Sequence, residues 1–457
     1  MHVQTATLAA ASVASFLVPF MMSAVGITLP AIQTELAATA VQLSWVAASY
    51  ILALAAILLP VGRLADIVGR RRTFVWGTGT FMLFSLSASL AWSVESLIML
   101  RVLQGVGAAM ILSTAVAIVT EVYPPKERGR AMGILVACVY LGLSVGPLVG
   151  GMMTGLGGWR SVFFLCLPPG LLAWTLACRI KGEWCPARGE SFDVAGSVLY
   201  AVSVVCCVHG LTNLNRPEIG LPLLGASFVT AGMFVYRSRQ VRHPILDLSL
   251  FTSNRVFALS SLATLVNYAG TFAVGFLLSL YLQVVKGLSP MQAGLLLVIQ
   301  PVVQSLLSPA AGILSDRVSA AGLASLGMGL CALGLWGVHG VDAASGLWEI
   351  GLLLALLGLG FALFASPNMS VIMGSVAPRH YSVASSLVAT MRTFGMSLSM
   401  GLTAVVFGLL LQDRQVSVET VPEFLASMRR ILAICSVFCA AGVFCSLGRR
   451  AGGTRSL

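Results

Sequence analysis

Long apolar runs separated by short polar or charged stretches make up most of the 457-residue sequence. A helix needs about 20 apolar residues to cross the hydrocarbon core of a bilayer, and fourteen runs have about that length. The predicted spans are residues 8–29, 43–64, 74–93, 97–120, 131–155, 161–179, 194–213, 220–237, 256–282, 292–315, 320–339, 347–371, 383–411 and 430–448. The pattern therefore predicts an all-α membrane protein with about 14 transmembrane helices.

The composition narrows the class of protein. Hydrophobic residues make up 58% of the chain and charged residues 9%, whereas soluble domains carry about 25% charged residues. This argues against a disordered chain, a nucleic-acid-binding protein or an ordinary cytosolic enzyme. Nine of the ten cysteines lie inside apolar runs, where a thiol packs as a small side chain. Since neither a metal cluster nor a nucleophile–base set is seen at membrane depth, we predict no cofactor and no enzymatic activity.

The basic residues predict the orientation of the chain in the membrane. Cytoplasmic loops carry an excess of Lys and Arg, and a cytoplasmic N-terminus places 19 of the 27 basic residues on that side and six outside. The remaining two, Arg101 and Arg392, fall inside predicted spans. An even number of spans with both termini cytoplasmic satisfies this bias, and the net charge of +11 fits loops beside an anionic leaflet.

Two loop signatures occur twice, which indicates an internal duplication. The segment 62–66 reads GRLAD and the segment 312–316 reads GILSD, 250 residues later. A Pro-Lys-Glu sequence at 125–127 has its counterpart in Pro-Arg-His at 378–380, 253 residues later. We therefore predict a six-helix bundle over 1–185, an inserted helix pair over 186–250 and a second six-helix bundle over 251–457.

Three segments carry a resemblance to a known family. They are residues 62–72 (GRLADIVGRRR), 101–109 (RVLQGVGAA) and 142–151 (GLSVGPLVGG). With these motifs, in this order, the chain resembles the major facilitator superfamily, in particular its fourteen-span drug:proton antiporters. The resemblance implies the major facilitator fold and a monomer in the inner membrane of a prokaryote, in contact with its lipid. It also implies alternating-access export of a hydrophobic or amphiphilic small molecule, coupled to protons.

The loop between the second and third spans predicts a conformational latch. Asp66 lies beside four arginines at a cytoplasmic helix end, where it can cap the third helix or pair with an arginine of the loop. The electropositive end of a neighbouring helix would also attract it across the bundle interface. Gly62 and Gly69 would allow close backbone approach. The alternative is a solvated positive loop. The predicted latch residues are Gly62, Asp66, Gly69, Arg70, Arg71, Asp316 and Arg317.

Arg101 and Arg392 are the candidates for coupling and for substrate contact. An arginine in hydrocarbon is costly, so each is expected to face the bundle interior or a wet cavity. Arg101 has Gln104 one turn later on the same face and would bind a polar or anionic part of the substrate or tune a proton-carrying acid. The alternative for Arg101 is a side chain that snorkels to the outer interface.

The fifth span carries a stripe of small residues interrupted by a proline. Small residues four apart let two helices pack backbone to backbone, and a proline bends the helix. We expect this stripe at the interface between the two bundles, where it would prevent leak and permit rocking. Its residues are Gly142, Gly146, Pro147, Gly150 and Gly151.

The first span departs from the family pattern. Aligned on Leu29-Pro30, the aspartate usual in these antiporters falls on Met21, and a methionine cannot carry a proton. Either Glu35 or another helix-end acid carries coupling, or the protein is not coupled as its relatives are. The cavity would be lined by polarizable and polar groups, each of which can also be explained by core packing or interhelical hydrogen bonds. These are Met21, Met22, Ser23, Trp45, Asn267, Gln300, Gln304, Asn368 and Met391.

The sequence therefore predicts a multidrug exporter. The alternatives are an exporter of a lipid or an endogenous metabolite, not necessarily driven by protons, and a membrane sensor that does not transport.

Overall fold

The computed structural model describes residues 3–180, 182–213, 216–246, 254–376, 381–411 and 414–447. Within these ranges the regular secondary structure is helical and no strand is formed. The chain divides into two compact units, of which the first holds residues 1–38 and 42–246, and the second residues 39–41 and 247–457.

The first unit contains nine helices among its described residues. They are α1 (Val3–Leu36), α2 (Ala40–Val68), α3 (Arg70–Ser89), α4 (Val94–Val122), α5 (Pro125–Gly157), α6 (Arg160–Leu165), α7 (Leu167–Arg179), α8 (Val194–Thr212) and α9 (Pro217–Gln240).

The second unit contains eight α-helices in the part of the chain that is described, with a π-helical turn and a short 3-10 helix. They are α10 (Arg255–Thr271), α11 (Ala273–Leu280), the π-helix Tyr281–Val285, α12 (Pro290–Leu297), α13 (Ile299–Arg317), α14 (Ala320–His339), α15 (Leu347–Gly374), α16 (Tyr381–Leu410), the 3-10 helix Val418–Thr420 and α17 (Val421–Leu447).

Thirteen helical segments of the described residues are long and apolar enough to cross a membrane. Three of them combine neighbouring elements: α6 with α7, α10 and α11 with the π-helix, and α12 with α13. The helix predicted over 74–93 is α3, which is formed but is not among the thirteen, because it begins with three arginines and is rich in Ser, Thr and Gly. The prediction of an all-α membrane protein is confirmed, and a count of fourteen depends on including α3.

Glycines at helix crossings reproduce the internal repeat. A Cβ on Gly105 of α4 would lie 2.5 Å from the carbonyl oxygen of Tyr50 on α2. A Cβ on Gly358 of α15 would lie 2.5 Å from the carbonyl oxygen of Gln300 on α13. Gly358 follows Gly105 by 253 positions and Gln300 follows Tyr50 by 250, which are the offsets of the loop signatures. The same backbone-to-backbone crossing is therefore built in each unit.

The helix pair α8 and α9 packs within the first unit. The hydroxyls of Ser203 and Ser227 each donate to the backbone carbonyl of the other residue, at 3.2 and 2.9 Å. The Tyr200 hydroxyl donates to the carbonyl of Ala55 on α2 at 3.0 Å. These hydrogen bonds join α8 to α9 and join the pair to α2.

Candidate functional site

The ends of three helices in the first unit meet at Arg70. Its Nε donates to Asp66 Oδ1 at 2.7 Å, and its Nη1 donates to Glu121 Oε1 at 2.9 Å. Arg70 therefore connects the last turn of α2 and the last turn of α4 from the first residue of α3. Asp66 therefore takes one of its expected roles, pairing with an arginine of its own loop.

The start of α3 is capped by Glu183, so a cap by Asp66 is a wrong expectation. Glu183 accepts hydrogen bonds from the backbone N–H of Arg71 at 2.8 Å and of Arg72 at 3.2 Å. This happens because the segment 182–193, which follows α7, folds back over the loop. The Ala187 N–H also donates to the backbone carbonyl of Asp66 at 3.0 Å. The sequence offers no spacing signal for Glu183, since it lies 112 positions beyond Arg71.

The other predicted latch residues have separate environments. The Arg71 Nη2 donates to the Cys178 carbonyl at 2.8 Å, at the end of α7. A Cβ on Gly62 would make ordinary contact with Ser113 at 3.7 Å, so the expected close approach at Gly62 is wrong. Asp316 and Arg317 lie outside the residues whose side chains are described.

Arg101 is buried in a polar cluster of the first unit, with 1% of its surface exposed. Its Nη1 donates to Gln104 Oε1 at 2.7 Å and its Nε donates to the Val46 carbonyl at 3.3 Å. The Gln104 amide donates in turn to Ser85 Oγ at 2.6 Å. The guanidinium lies over the Tyr50 ring, 4.2 Å from its centre. This placement differs from a side chain that snorkels to the interface.

The second unit does not repeat this cluster. Leu354 and Leu357 follow Arg101 and Gln104 by 253 positions, and Leu335 follows Ser85 by 250. All three leucines are fully buried. The repeat therefore keeps the helix crossings and replaces the polar network by apolar packing.

Arg392 has a different environment in the second unit. From α16, its guanidinium lies close to the hydroxyl of Tyr268 on α10. The Tyr268 ring meets Phe361 of α15 nearly edge-on, with ring centres 5.9 Å apart. Both Arg392 and Tyr268 keep part of their surface exposed. The pairing could not be foreseen from sequence spacing, because Arg392 and Tyr268 lie 124 positions apart.

The glycines of α5 pack against another helix of the first unit. A Cβ on Gly146 would lie 2.7 Å from Ser23 Cβ, and one on Gly150 would lie 2.9 Å from the Ala24 carbonyl oxygen. Gly142 lies directly against the Phe16 carbonyl in the same way. The prediction that this stripe faces the second bundle is wrong for these three glycines, because each lies against α1. Pro147 and Gly151 are buried beside them.

The predicted cavity residues of the first unit have mixed environments. Met21 is fully buried and Met22 is partly exposed. The Ser23 hydroxyl donates to the Leu143 carbonyl at 3.0 Å, which joins α1 to α5. Trp45 packs against His209 of α8, with ring centres 5.5 Å apart. Ser23 and Trp45 therefore serve helix packing, as the structural alternative expected.

The predicted cavity residues of the second unit also have mixed environments. The Asn368 amide donates to the Ser260 carbonyl at 3.3 Å and to Thr264 Oγ1 at 2.9 Å, which joins α15 to α10. Asn267 is fully buried and lies close to Cys331 of α14. Gln304 is buried, whereas Gln300 and Met391 are partly exposed.

Carboxylates of the described residues stay close to helix ends or lie in connections. The helix 1 acid of the family has no replacement at depth in this set. Glu35, at the end of α1, pairs with Arg160 of α6 and accepts a hydrogen bond from the Trp159 indole at 2.8 Å. The described acids are Glu35, Asp66, Glu95, Glu121, Glu183, Glu190, Asp193, Glu218, Asp342, Glu349, Glu419 and Glu423.

Comparisons with a family model and with known proteins agree on one family. Residues 11–400 match the model of the Major Facilitator Superfamily. The chain is 32% identical over 408 residues to the multidrug resistance protein Stp of Mycobacterium tuberculosis, covering 86% of this chain and 74% of that protein. It is 32% identical to the tetracenomycin C resistance and export protein of Streptomyces glaucescens, over 89% and 76% of the two chains. It is 30% identical to the riboflavin transporter RibZ of Clostridioides difficile, over 82% of each.

Solved structures show the same fold at low sequence identity. A bacterial homolog of the human lysosomal transporter Spinster superposes with a TM-score of 0.71 at 18% identity, over 98% of both chains. The xylose transporter XylE of Escherichia coli superposes with a TM-score of 0.65 at 13% identity, over 99% and 100%. These similarities establish the architecture of the helices.

Proposed function

We propose that this chain, which belongs to the major facilitator superfamily, exports hydrophobic or amphiphilic small molecules by alternating access. Family membership makes it a multi-pass transporter, and its bacterial relatives and many spans fit the inner membrane. The observation that carries the export proposal is its similarity, over more than four fifths of its length, to relatives named for multidrug resistance and for export.

In this mechanism the two repeated halves alternately open a central site to each side of the membrane. The cytoplasmic junction at Arg70 supplies a candidate latch, because an ion pair that breaks between two states stabilises one of them. Both termini would be cytoplasmic, the protein would act as a monomer, and the repeated halves would correspond to residues 1–185 and 251–457. The predicted cavity residues that keep exposed surface are Met22, Ser23, Trp45, Gln300, Met391 and Arg392.

Proton coupling of the family type needs a carboxylate that gains and loses a proton during the cycle. Met21 cannot supply it, and Glu35 is held by Arg160 and Trp159. A proton cycle through Glu35 would have to break that contact between α1 and α6. Replacement of Glu35 by glutamine tests this route, since a dependence of transport on the pH gradient should then disappear.

A second candidate substrate class is an endogenous metabolite. The similarity to a riboflavin transporter over 82% of the chain supports it. Drug export and metabolite export differ in selectivity. In a site for varied amphiphiles the side chains re-pack around different molecules, whereas a specific site excludes close analogues of its substrate.

Flux measurements on purified protein in liposomes test the export proposal. Vesicles are loaded with one substrate at a time, chosen from lipophilic dyes of both charges and riboflavin, and efflux is compared with protein-free vesicles. Efflux of several unrelated dyes supports multidrug export, and efflux of riboflavin alone supports the metabolite alternative. Absence of flux for every compound, under either a pH gradient or a membrane potential, would contradict export and favour a sensor.

A further inference from the structure

The charged side chains that lie deep within the described spans are arginines. Arg101 and Arg392 lie eight and twelve residues into their helices, while the described acids lie within a turn of a helix end or outside helices. Arg429 and Arg430 also fall within α17, but they are exposed, and the Arg429 carbonyl is bonded by His339, the last residue of α14. These two arginines are therefore level with the end of a span. Within the described part of the chain, charge at depth comes from Arg101 and Arg392.

The two arginines inside the spans differ in their availability to a ligand. Arg101 is 1% exposed and is already bonded to Gln104 and Val46 and stacked on Tyr50. Arg392 keeps part of its surface exposed and lies close to the phenol of Tyr268. A guanidinium has five N–H donors in a planar fork, so proximity to one tyrosine leaves donors for a further acceptor. Arg392 is thus the available cation.

We propose that Arg392 and Tyr268 bind the anionic group of the exported molecule, and that the membrane potential drives the export of this lipophilic organic anion. The proposal rests on the proposed export function and specifies its substrate class. A guanidinium and a phenol both donate hydrogen bonds to a carboxylate, sulfonate or phenolate oxygen. The partly exposed Tyr268 ring contacts the apolar part of the same molecule.

Export of an anion driven by the membrane potential also explains why a methionine can occupy position 21, where related antiporters have an acid. In a medium of low dielectric constant, an arginine attracts an anion strongly and repels a cation. An anion that leaves a cell with a negative interior moves down the electrical potential, and each charge supports about a 50-fold concentration ratio per 100 mV. Such export moves net charge and needs no proton in exchange. A carboxylate in the first span is then unnecessary for driving transport.

A pair of dyes with one skeleton and opposite charges tests the inference. Liposomes containing the full-length protein and K⁺ are loaded at pH 8 with fluorescein, an anion, or with rhodamine 123, a cation of the same xanthene skeleton. Valinomycin and K⁺-free medium then make the interior negative without a pH gradient. We expect fluorescein efflux to rise at least severalfold over that with equal K⁺ on both sides. Rhodamine 123 should leave no faster than from protein-free vesicles in either condition.

The outcomes separate this inference from the export proposal. Efflux of rhodamine 123 without fluorescein overturns the anion site while multidrug export stands. Fluorescein efflux that follows an imposed pH gradient and ignores the potential overturns the driving force proposed here. Efflux of neither dye, under a potential or a pH gradient, contradicts both proposals.

Variants at position 392 locate the site. Arg392→Gln should lower fluorescein flux at least tenfold, and Arg392→Lys should keep most of the response to potential. Arg392→Glu should exclude fluorescein and admit rhodamine 123, which a purely structural role of Arg392 would not produce. Arg239→Gln, at an exposed arginine near the end of α9, is the matched control and should transport as the wild type does. Wild-type fluorescein flux in Arg392→Gln would refute the assignment.

Discussion

Gly69 shows how one residue without a side chain shapes the loop between α2 and α3. Its backbone angles, φ 130° and ψ 128°, are rarely adopted by residues that carry a Cβ. A Cβ at this position would also lie 2.5 Å from the Glu183 carboxyl group. The glycine therefore allows Glu183 to reach the first N–H groups of α3.

Replacement of Gly69 by alanine should destabilise the protein by about 1–3 kcal/mol, because it adds backbone strain and displaces Glu183. Thermal unfolding in detergent measures the loss. Gly189→Ala is the matched control, since Gly189 also has positive φ, at 88°, but open space around the added Cβ. The physical account of Gly69 fails if the two variants lose the same stability.

Asp342 organises the connection between α14 and α15. Its Oδ1 accepts hydrogen bonds from the N–H of Ala344 at 2.8 Å and of Ser345 at 2.9 Å, and from the Ser345 hydroxyl at 3.2 Å. These bonds, the Ala344 one first, favour the charged form and hold the pKa of the Asp342 carboxyl below its ordinary 3.8.

The lowered pKa of Asp342 predicts a pH-dependent contribution to stability. The stabilisation is present above the ordinary pKa of 3.8 and is lost as pH falls through the lower pKa of the folded state. Asp342→Ala should therefore unfold at a lower temperature than the wild type near neutral pH, and the difference should vanish in stronger acid. Asp342→Asn keeps an acceptor oxygen and should show a smaller difference without this pH dependence. A wild-type–alanine difference that grows on acidification would be inconsistent with the lowered pKa.

At the scale of helices, glycines mark where two backbones touch. Gly142 of α5 lies against the Phe16 carbonyl, and Gly395 of α16 lies against the Leu265 carbonyl in the second unit. A Cβ at either position would overlap a carbonyl oxygen of the helix opposite. The two crossings are equivalent in the repeat, with offsets of 253 and 249 positions.

Gly142→Ala and Gly395→Ala should each cost about 1–3 kcal/mol, because the helices must separate to make room. Gly155→Ala and Gly275→Ala should be neutral or gain about 1 kcal/mol, since alanine favours helix and both positions have open space. Unfolding temperatures of the four variants provide the comparison. Equal effects in the two pairs would show that these crossings do not set stability.

The elements themselves could be predicted from the apolar runs, since hydrophobic length determines which segments can cross a membrane. The ends could not, because helices continue beyond the hydrocarbon: α1 begins at Val3 rather than residue 8, and α17 at Val421 rather than 430. The helix that the α5 glycines contact could also not be predicted from the sequence. Small-residue spacing indicates close packing but does not name the partner helix.

At the scale of the whole chain, the two units share a backbone plan and differ in chemistry. Where the first unit has Arg101, Gln104 and Ser85, the second has Leu354, Leu357 and Leu335. Three buried leucines thus fill, in the second copy, the positions that a polar network fills in the first. The comparison offers a way to separate stability from transport at Arg101.

Arg101→Leu alone should destabilise the protein by about 1–3 kcal/mol, because buried acceptors on Gln104 and Val46 lose their donor. The triple variant Arg101→Leu, Gln104→Leu, Ser85→Leu should recover most of this loss, since it removes the network as a unit. Unfolding temperature and dye flux are measured together. Transport lost in both variants indicates a functional Arg101, whereas transport that returns with stability indicates a structural one.

The candidate site was only partly accessible from sequence. Arg101 and Arg392 could be singled out because charge in an apolar run is conspicuous, and Gln104 follows from helical spacing. Their partners Tyr50 and Tyr268 could not, because each comes from another helix more than 50 positions away. Trp45 and Ser23 could not be assigned to packing without knowing which helix lies opposite.

The shared crossings have a consequence for how such a chain diversifies after duplication. Positions where backbones touch accept only glycine without rearrangement, so both copies inherit them as fixed points. Positions between these points are free to exchange polar for apolar groups, as residues 354 and 357 illustrate. One copy can then keep an inherited network while the other explores new selectivity, and a change of cargo need not begin with a change of architecture.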